Sequence, residues 1–232
     1  MILSLKTASF AANGKTLLGP ISLDIPMDGI TVVLGPNGAG KSLFLEMCHG
    51  LIPLSMGSLC WDGIPANHEK SSRGYIFQHR ITLRQSVARN IALPLRAAKW
   101  PKAKQIARTK ELLSLTQLSA KADEPAVVLS GGEAQRMALA RAMAHHPKTI
   151  LMDEPTSNLD PKATETFEML IQDIADSGVS FLWATHNLAQ AKRFAKHVLF
   201  ISEGKIVEYA PADQFFNTPI HPTCQNFLRP PL

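Results

Sequence analysis

Hydrophobic positions fall into two periods along this chain. Ile30 to Leu34 is an apolar run that stops at Gly35-Pro36, the pattern of a buried strand ending in a turn. From Lys41 the period changes. Leu43/Met47 and Phe44/Cys48 stand four residues apart, which predicts a helix with Gly50 as its C-cap. Before this unit, Leu3, Leu5 and Ala8/Phe10 predict a strand, and Asn13-Gly14 a hairpin turn. Ile21, Leu23 and Ile25 alternate with Ser22 and Asp24 as in a half-buried strand, and Asp28-Gly29 turns into the run at 30. Beyond the helix, residues 57–63 predict a short edge strand and turn, and Gly74 to Phe77 a strand ending at Gln78. Residues 79–129 carry mainly helical pattern. Ser130 and Glu133 form an S-x-x-E capping box, which predicts a helix up to Pro147. Thr149 to Met152 and Phe181 to Thr185 are further buried strands. The chain closes with a hairpin around Ser202 to Lys205, a short helix and a Pro-rich end. No internal repeat or low-complexity segment interrupts it.

The chain has 232 residues, 45% of them hydrophobic and 19% charged, enough for one or two globular domains. No apolar run approaches the ~20 residues of a membrane span. The N-terminus lacks the basic flank and apolar core of a secretory signal. Cys48, Cys60 and Cys224 have no metal or redox spacing, and a reducing cytoplasm fits them. The net charge of +5 serves solubility; it also suits nucleic acid or an anionic membrane, and charge alone does not choose. Arg96, Lys99, Lys102, Lys104, Arg108 and Lys110 read as a solvated basic helix face, with lipid headgroups or a partner as the alternative.

The chemistry concentrates at turns. Gly35-Pro36-Asn37-Gly38-Ala39-Gly40-Lys41-Ser42 fits G-x-x-x-x-G-K-[ST] between a strand and a helix, with Leu43 following. Glycines let backbone N–H groups curl round a phosphate, and the helix N-terminus points its dipole at the same anion. Lys41 reaches β- and γ-phosphates, and the Ser42 hydroxyl suits Mg²⁺. Gly131 and Gly132 weaken a helix's first turn, which makes sense where backbone approaches a ligand. Asp153 and Glu154 end a buried strand, where an α/β sheet binds ligands. Asp153 suits Mg²⁺, and Glu154 is a candidate base for water. His186 ends its strand in the same way and is placed for a γ-phosphate contact.

These motifs, in this order, closely resemble the ATP-binding subunit of ABC transporters over essentially the whole chain. The resemblance implies an α/β fold: a P-loop NTPase core with a mixed sheet and flanking helices, an antiparallel β subdomain and an inserted helical subdomain. The core would take residues 1–78 and 131–232, and the helical subdomain 79–130. Gln78 resembles the Q-loop glutamine, which contacts Mg²⁺ and the attacking water. Leu129 to Glu133 is similar to the signature motif. Asp153 resembles the Walker B aspartate and Glu154 the catalytic glutamate. Ser157-Asn158-Leu159-Asp160 resembles the D-loop, and His186 the switch histidine. ATP and Mg²⁺ are the implied cofactors. The implied partners are a second copy, whose Ser130 and Gly132 close head-to-tail over ATP held by Lys41, and a membrane permease. A periplasmic or extracytoplasmic substrate-binding protein would act through the permease. The implied place is the cytoplasmic face of the membrane, bound peripherally, and no nucleic acid is expected. One departure is Ala12, which falls where the family usually stacks an aromatic residue on adenine; Phe10 lies two residues earlier.

Within the family, residues 77–87, residues 90–95, His49-Gly50-Leu51 and the tail Pro211 to Phe216 look most like tungstate-type oxyanion importers. Phosphate and polar amino acid importers have similar tails. Exporters and lipoprotein-release systems share the engine motifs. The stop near residue 232 implies no C-terminal regulatory domain. Non-transport relatives acting on DNA or ribosomes fit less well. The segment from Gln78 to Ser130 has no heptad run, and the chain has one cassette.

Overall fold

The computed structural model describes residues 1–79 and 81–229. Arg80, which belongs to the string carrying the oxyanion-importer resemblance, and the closing Pro230-Pro231-Leu232 lie outside the described residues.

The chain opens as an antiparallel hairpin, β1 (Ile2–Ala12) with β2 (Lys15–Pro26), turning at Asn13-Gly14 as the sequence predicts. β3 (Ile30–Leu34) then leaves for a second sheet and runs into helix α1 (Lys41–His49), which ends at Gly50 in the left-handed conformation. β4 (Met56–Trp61) returns to the first sheet. It is an interior strand rather than the predicted edge: it pairs β1 on one side and β5 (Ile64–Pro65) on the other. The edge falls to β5, two residues closed by a proline that has no N–H to offer a further strand.

β6 (Arg73–Ile76) begins the second sheet's far side. Three helices follow, α2 (Val87–Ile91), α3 (Leu93–Ala97) and α4 (Lys102–Leu115). The Asn90 side chain is fully buried and shapes the loop before α2, accepting from Leu83 N–H and donating to the carbonyls of Leu83, Gln85 and Ser86. The basic run keeps five of its six members exposed, but Arg108 is buried. Its guanidinium donates to the carbonyls of Met143 and Ala144, just past helix α5 (Gly131–Ala142). A cation suits those C-terminal carbonyls. Helix α5 stops before the predicted limit at Pro147, with Met143 as its C-cap and His146 at positive φ.

Strands and helices then alternate through β7 (Thr149–Asp153), α6 (Pro161–Asp176), β8 (Ser180–Ala184), α7 (Leu188–Phe194) and β9 (His197–Ser202), and β9 forms a hairpin with β10 (Lys205–Pro211). Two helices rather than one follow the last hairpin, α8 (Ala212–Asn217) and α9 (Pro222–Leu228). The buried Glu208 carboxylate accepts from the N–H groups of Ile220 and His221 at the start of α9.

The second sheet has the order β10-β9-β3-β8-β7-β6, parallel throughout except for β10. Its central strands are buried on both faces, because successive side chains feed two cores. Val32, Met152 and Trp183 pack on the side of α5 and α6; Val33, Leu151 and Leu182 pack on the side of α1 and the antiparallel sheet. Register aligns Val33 with Ala184 and Ala184 with Asp153, so the parallel strands end together. Every candidate residue at a strand end is therefore delivered to one edge.

Candidate active site

At that edge, β3 hands over to the phosphate loop. Gly40 caps α1 at φ 107°, a conformation that favours glycine, and no side chain fills the cap. The first amides of α1 have no intrahelical acceptor by helix geometry, so they face outward with the positive dipole end. Lys41 is buried, and its Nζ donates to the carbonyls of Gly35 at 2.9 Å and Pro36 at 3.1 Å. It also stands 3.8 Å from Glu154 Oε1.

Glu154 lies one residue past β7, at φ 43°. A non-glycine residue in that region carries roughly 1–3 kcal/mol of backbone strain. The turn is held by hydrogen bonds from Glu154 N–H to Ala184 O and from Ser157 N–H to Glu154 O. His186 Nδ1 meets Glu154 Oε2 at 3.0 Å. Asp153, the last residue of β7, is buried and accepts a hydrogen bond from the Ser42 side chain. Burial raises its pKa above the ordinary carboxylate value, against the Ser42 hydrogen bond; the Glu154 charge adds to the rise and Lys41 opposes it.

A cavity of about 400 Å³ opens between these groups. Asn37, Gly38, Gly40, Lys41, Ser42 and Leu43 line it from the phosphate loop, and Gln78, Glu154 and His186 from other strand ends. Gly35 and Pro36 serve it indirectly through Lys41, and Ala39 turns into the core. The donor set fits a polyphosphate with a hard cation: a cationic side chain and helix N-terminal amides for phosphate, with a hydroxyl and a carboxylate already in contact for Mg²⁺.

The signature residues do not line this cavity. Ser130 caps α5, accepting from Glu133 N–H, while Glu133 accepts from the Ser130 N–H and hydroxyl. Lys121 pairs with Glu133 at 3.1 Å, and Glu133 sits below the usual carboxylate pKa: burial, the largest influence, acts upward, but the Ser130 and Lys121 contacts together outweigh it. Gly132 has a neighbour of its own chain. A Cβ there would meet Ala163 Cβ at 2.7 Å, so α5 and α6 approach through a glycine. Asp160, expected at a nucleotide, caps α6 by accepting from Ala163 N–H. Ala12 is half-buried, and Phe10 packs on the core beneath the antiparallel sheet.

A family model described as ABC transporter matches residues 18–157, which include the phosphate loop, the capped glycines and the paired carboxylates. The chain belongs to the ABC transporter family. It is an ATP-binding subunit, an ATPase whose cofactors are ATP and Mg²⁺. Among its relatives is the methionine import ATP-binding protein MetN of Pasteurella multocida, 36% identical over 95% of this chain and 67% of that protein. Another is the glutamate/aspartate import ATP-binding protein GltL of Escherichia coli, 34% identical over 98% of each chain. The solved structure of cbiO1 from Clostridium perfringens, part of the ABC transporter complex cbiONQ, superposes with a TM-score of 0.84 at 24% identity. It covers 93% of this ABC ATPase and 90% of that chain, and it shows the same fold.

Four side chains around this site have no signal in the sequence. Buried Glu168, Thr185 and Gln190 and half-buried Thr156 form a hydrogen-bonded cluster behind Glu154 and His186. Gln190 and Glu168 stand 22 positions apart on different helices, and no local pattern connects them.

Proposed function

We propose that this ABC ATPase is the hydrolytic subunit of an importer, and that two copies close head-to-tail on ATP to drive a membrane permease. The observation that carries the hydrolytic reading is the Glu154–His186 contact on the cavity that also holds Lys41 and Ser42. Lys41 and the first amides of α1 bind the β- and γ-phosphates. Glu154 takes the proton of the attacking water, and His186 orients that carboxylate and meets the γ-phosphate. Ser42, Gln78 and Asp153 would hold Mg²⁺, which would neutralise phosphate charge.

Ser130, Gly131, Gly132 and Glu133 offer a second helix N-terminus away from the cavity of their own chain. That separation supports closure over ATP held by a second copy, with the loop from Ser157 to Asp160 at the interface. The helices between 79 and 130 form a subdomain that carries this end. The permease places the subunit peripherally at the cytoplasmic face of the membrane, and a substrate-binding protein acts through it. Among the described residues, no helix is long and apolar enough to cross a membrane.

Import is supported by the relatives, which are named as methionine import and glutamate/aspartate import proteins. That similarity runs over nearly the whole chain, whereas the tungstate-type reading rests on short strings around Gln78 and in the tail. We therefore take an amino acid as the proposed cargo and tungstate as the second reading.

The test is a tagged Glu154→Gln variant recovered from gently solubilised membranes with Mg-ATP. The expected result is loss of ATP hydrolysis and co-recovery of a polytopic membrane protein, whose transport of amino acids and tungstate is then compared. Undiminished hydrolysis sinks the base assignment, and recovery of ribosomes or nucleic acid instead sinks the transport role.

A further inference from the structure

Behind Glu154 and His186 lies a second cavity of about 460 Å³, to which both residues also contribute. Gln190, on α7 and 3% exposed, reaches across its base. Its oxygen accepts from the Thr185 hydroxyl at 3.0 Å. Its amide nitrogen donates to Thr156 Oγ1 and to Glu168 Oε1, both at 2.8 Å. Glu168 is buried as well, and its other oxygen accepts from Arg193 at 2.6 Å. A carboxylate only accepts, so Glu168 dictates which end of the amide faces it.

The two threonines flank the reacting pair. Thr156 lies two residues after Glu154, on a turn whose strained φ needs support from both sides. Thr185 immediately precedes His186, and its hydroxyl also accepts from Asn187 N–H. One amide thus joins the segment that carries the carboxylate to the segment that carries the imidazole.

We propose that Gln190 is the positioning residue of this ATPase: by tying Thr156 to Thr185, and itself fixed by Glu168, it sets the contact between Glu154 and His186. It touches no reacting atom. The inference rests on the hydrolytic reading of Glu154 and His186.

The network predicts a particular rescue. In Gln190→Glu, two carboxylates face each other across one hydrogen bond, and the donor to Glu168 is gone. Combining it with Glu168→Gln exchanges acid and amide. The amide introduced on α6 would then donate to the carboxylate introduced on α7 and accept from Arg193. Both threonine hydroxyls would donate to that carboxylate, so every bond finds a partner again.

The experiment measures ATP hydrolysis across pH, the affinity of a non-hydrolysable ATP analogue, and thermal melting for four variants. Gln190→Leu is expected to lower kcat on the order of tenfold or more with KM and analogue affinity little changed. Gln190→Glu is expected to lose activity at neutral pH and regain it under mild acid, when one of the facing carboxyls takes a proton. The exchange variant is expected to regain activity at both. Wild-type kcat in Gln190→Leu overturns the proposal. If that variant does not fold, the exchange variant decides: no gain over Gln190→Glu overturns it. The fourth variant, Glu154→Gln, separates the two readings. If it still hydrolyses ATP, the site reading itself fails; if it is inactive while Gln190→Leu turns over normally, only the role of Gln190 falls.

Discussion

The Lys41 ammonium stands 3.8 Å from the Glu154 carboxylate while its hydrogen bonds go to the Gly35 and Pro36 carbonyls. The cation expected to bind phosphate and the anion expected to activate water partly neutralise each other across one cavity. A polyphosphate entering there gains from Lys41 and is repelled by Glu154.

Glu154→Gln should therefore tighten ATP binding while it stops hydrolysis. Loss of a general base typically costs about 10²- to 10⁴-fold in rate. Removing one negative charge next to the phosphates should lower Kd severalfold. Equilibrium titration with ATP and a phosphate-release assay on the same preparation check both signs together.

Lys41→Ala should act in the opposite direction on affinity. It removes the cation that donates to the Gly35 and Pro36 carbonyls and faces the Glu154 carboxylate. We expect ATP affinity to fall at least tenfold, about 1.4 kcal/mol or more. Unchanged affinity in the same titration would refute the phosphate-loop role.

Gly132 tests the packing of the signature helix separately from any nucleotide. An added Cβ meets Ala163 Cβ at 2.7 Å, closer than real Cβ contacts come. Gly132→Ala should destabilise the fold by about 1–3 kcal/mol, the usual cost of overpacking. Ala163→Gly in the same chain should return most of that loss. Denaturant midpoints of the two single variants and the double variant measure the coupling.

His49 gives a pH dependence of known sign. The ring is buried at the end of α1, edge-on to Tyr75, with Nε2 3.4 Å from the Arg73 carbonyl. Burial lowers its pKa from 6.5 to about 4; the Arg73 and Lys70 charges add to the fall, against the hydrogen bond at the Arg73 carbonyl. Between those values the unfolded chain binds the proton and the folded chain does not. The stabilising contribution is thus complete above about pH 6.5 and is lost as pH falls toward about 4. The full span is at most roughly 3.4 kcal/mol by the linkage relation. His49→Gln should flatten that acid limb in a series of denaturant melts, and an unchanged slope would show that His49 does not carry it.

Much of this protein is legible within stretches of about ten residues. The run Ile30 to Leu34, the glycine turn and the i,i+4 pairs after Lys41 announce a strand, a loop and a helix, and these are β3, the phosphate loop and α1. The Ser130–Glu133 capping box is equally local and is present in both directions. Helix α6 carries a signal of the same kind, with Asp160 as its cap, Pro161 at its first position and Phe167, Leu170, Ile171 and Ile174 at helical spacing.

Local pattern fails where a residue's partner lies far along the chain. Arg108 reads as one more exposed cation, yet it is buried against carbonyls 35 and 36 positions away. Residues 57–63 read as an edge, because nothing within them records that β5 will pair alongside. The cluster at Gln190 leaves no trace for the same reason.

The sequence by itself determined which residue types meet the phosphates and which segments carry them, since those depend on backbone propensity, side-chain period and caps over a few residues. Only the tertiary structure decided that His186 reaches Glu154 across 32 positions, and that the signature helix stands apart from its own chain's phosphate loop. Strand order does this. β8 takes its place between β3 and β7 because both faces of each strand must be buried against two separate cores, and that choice is made by packing across the sheet, which no single stretch of the chain contains.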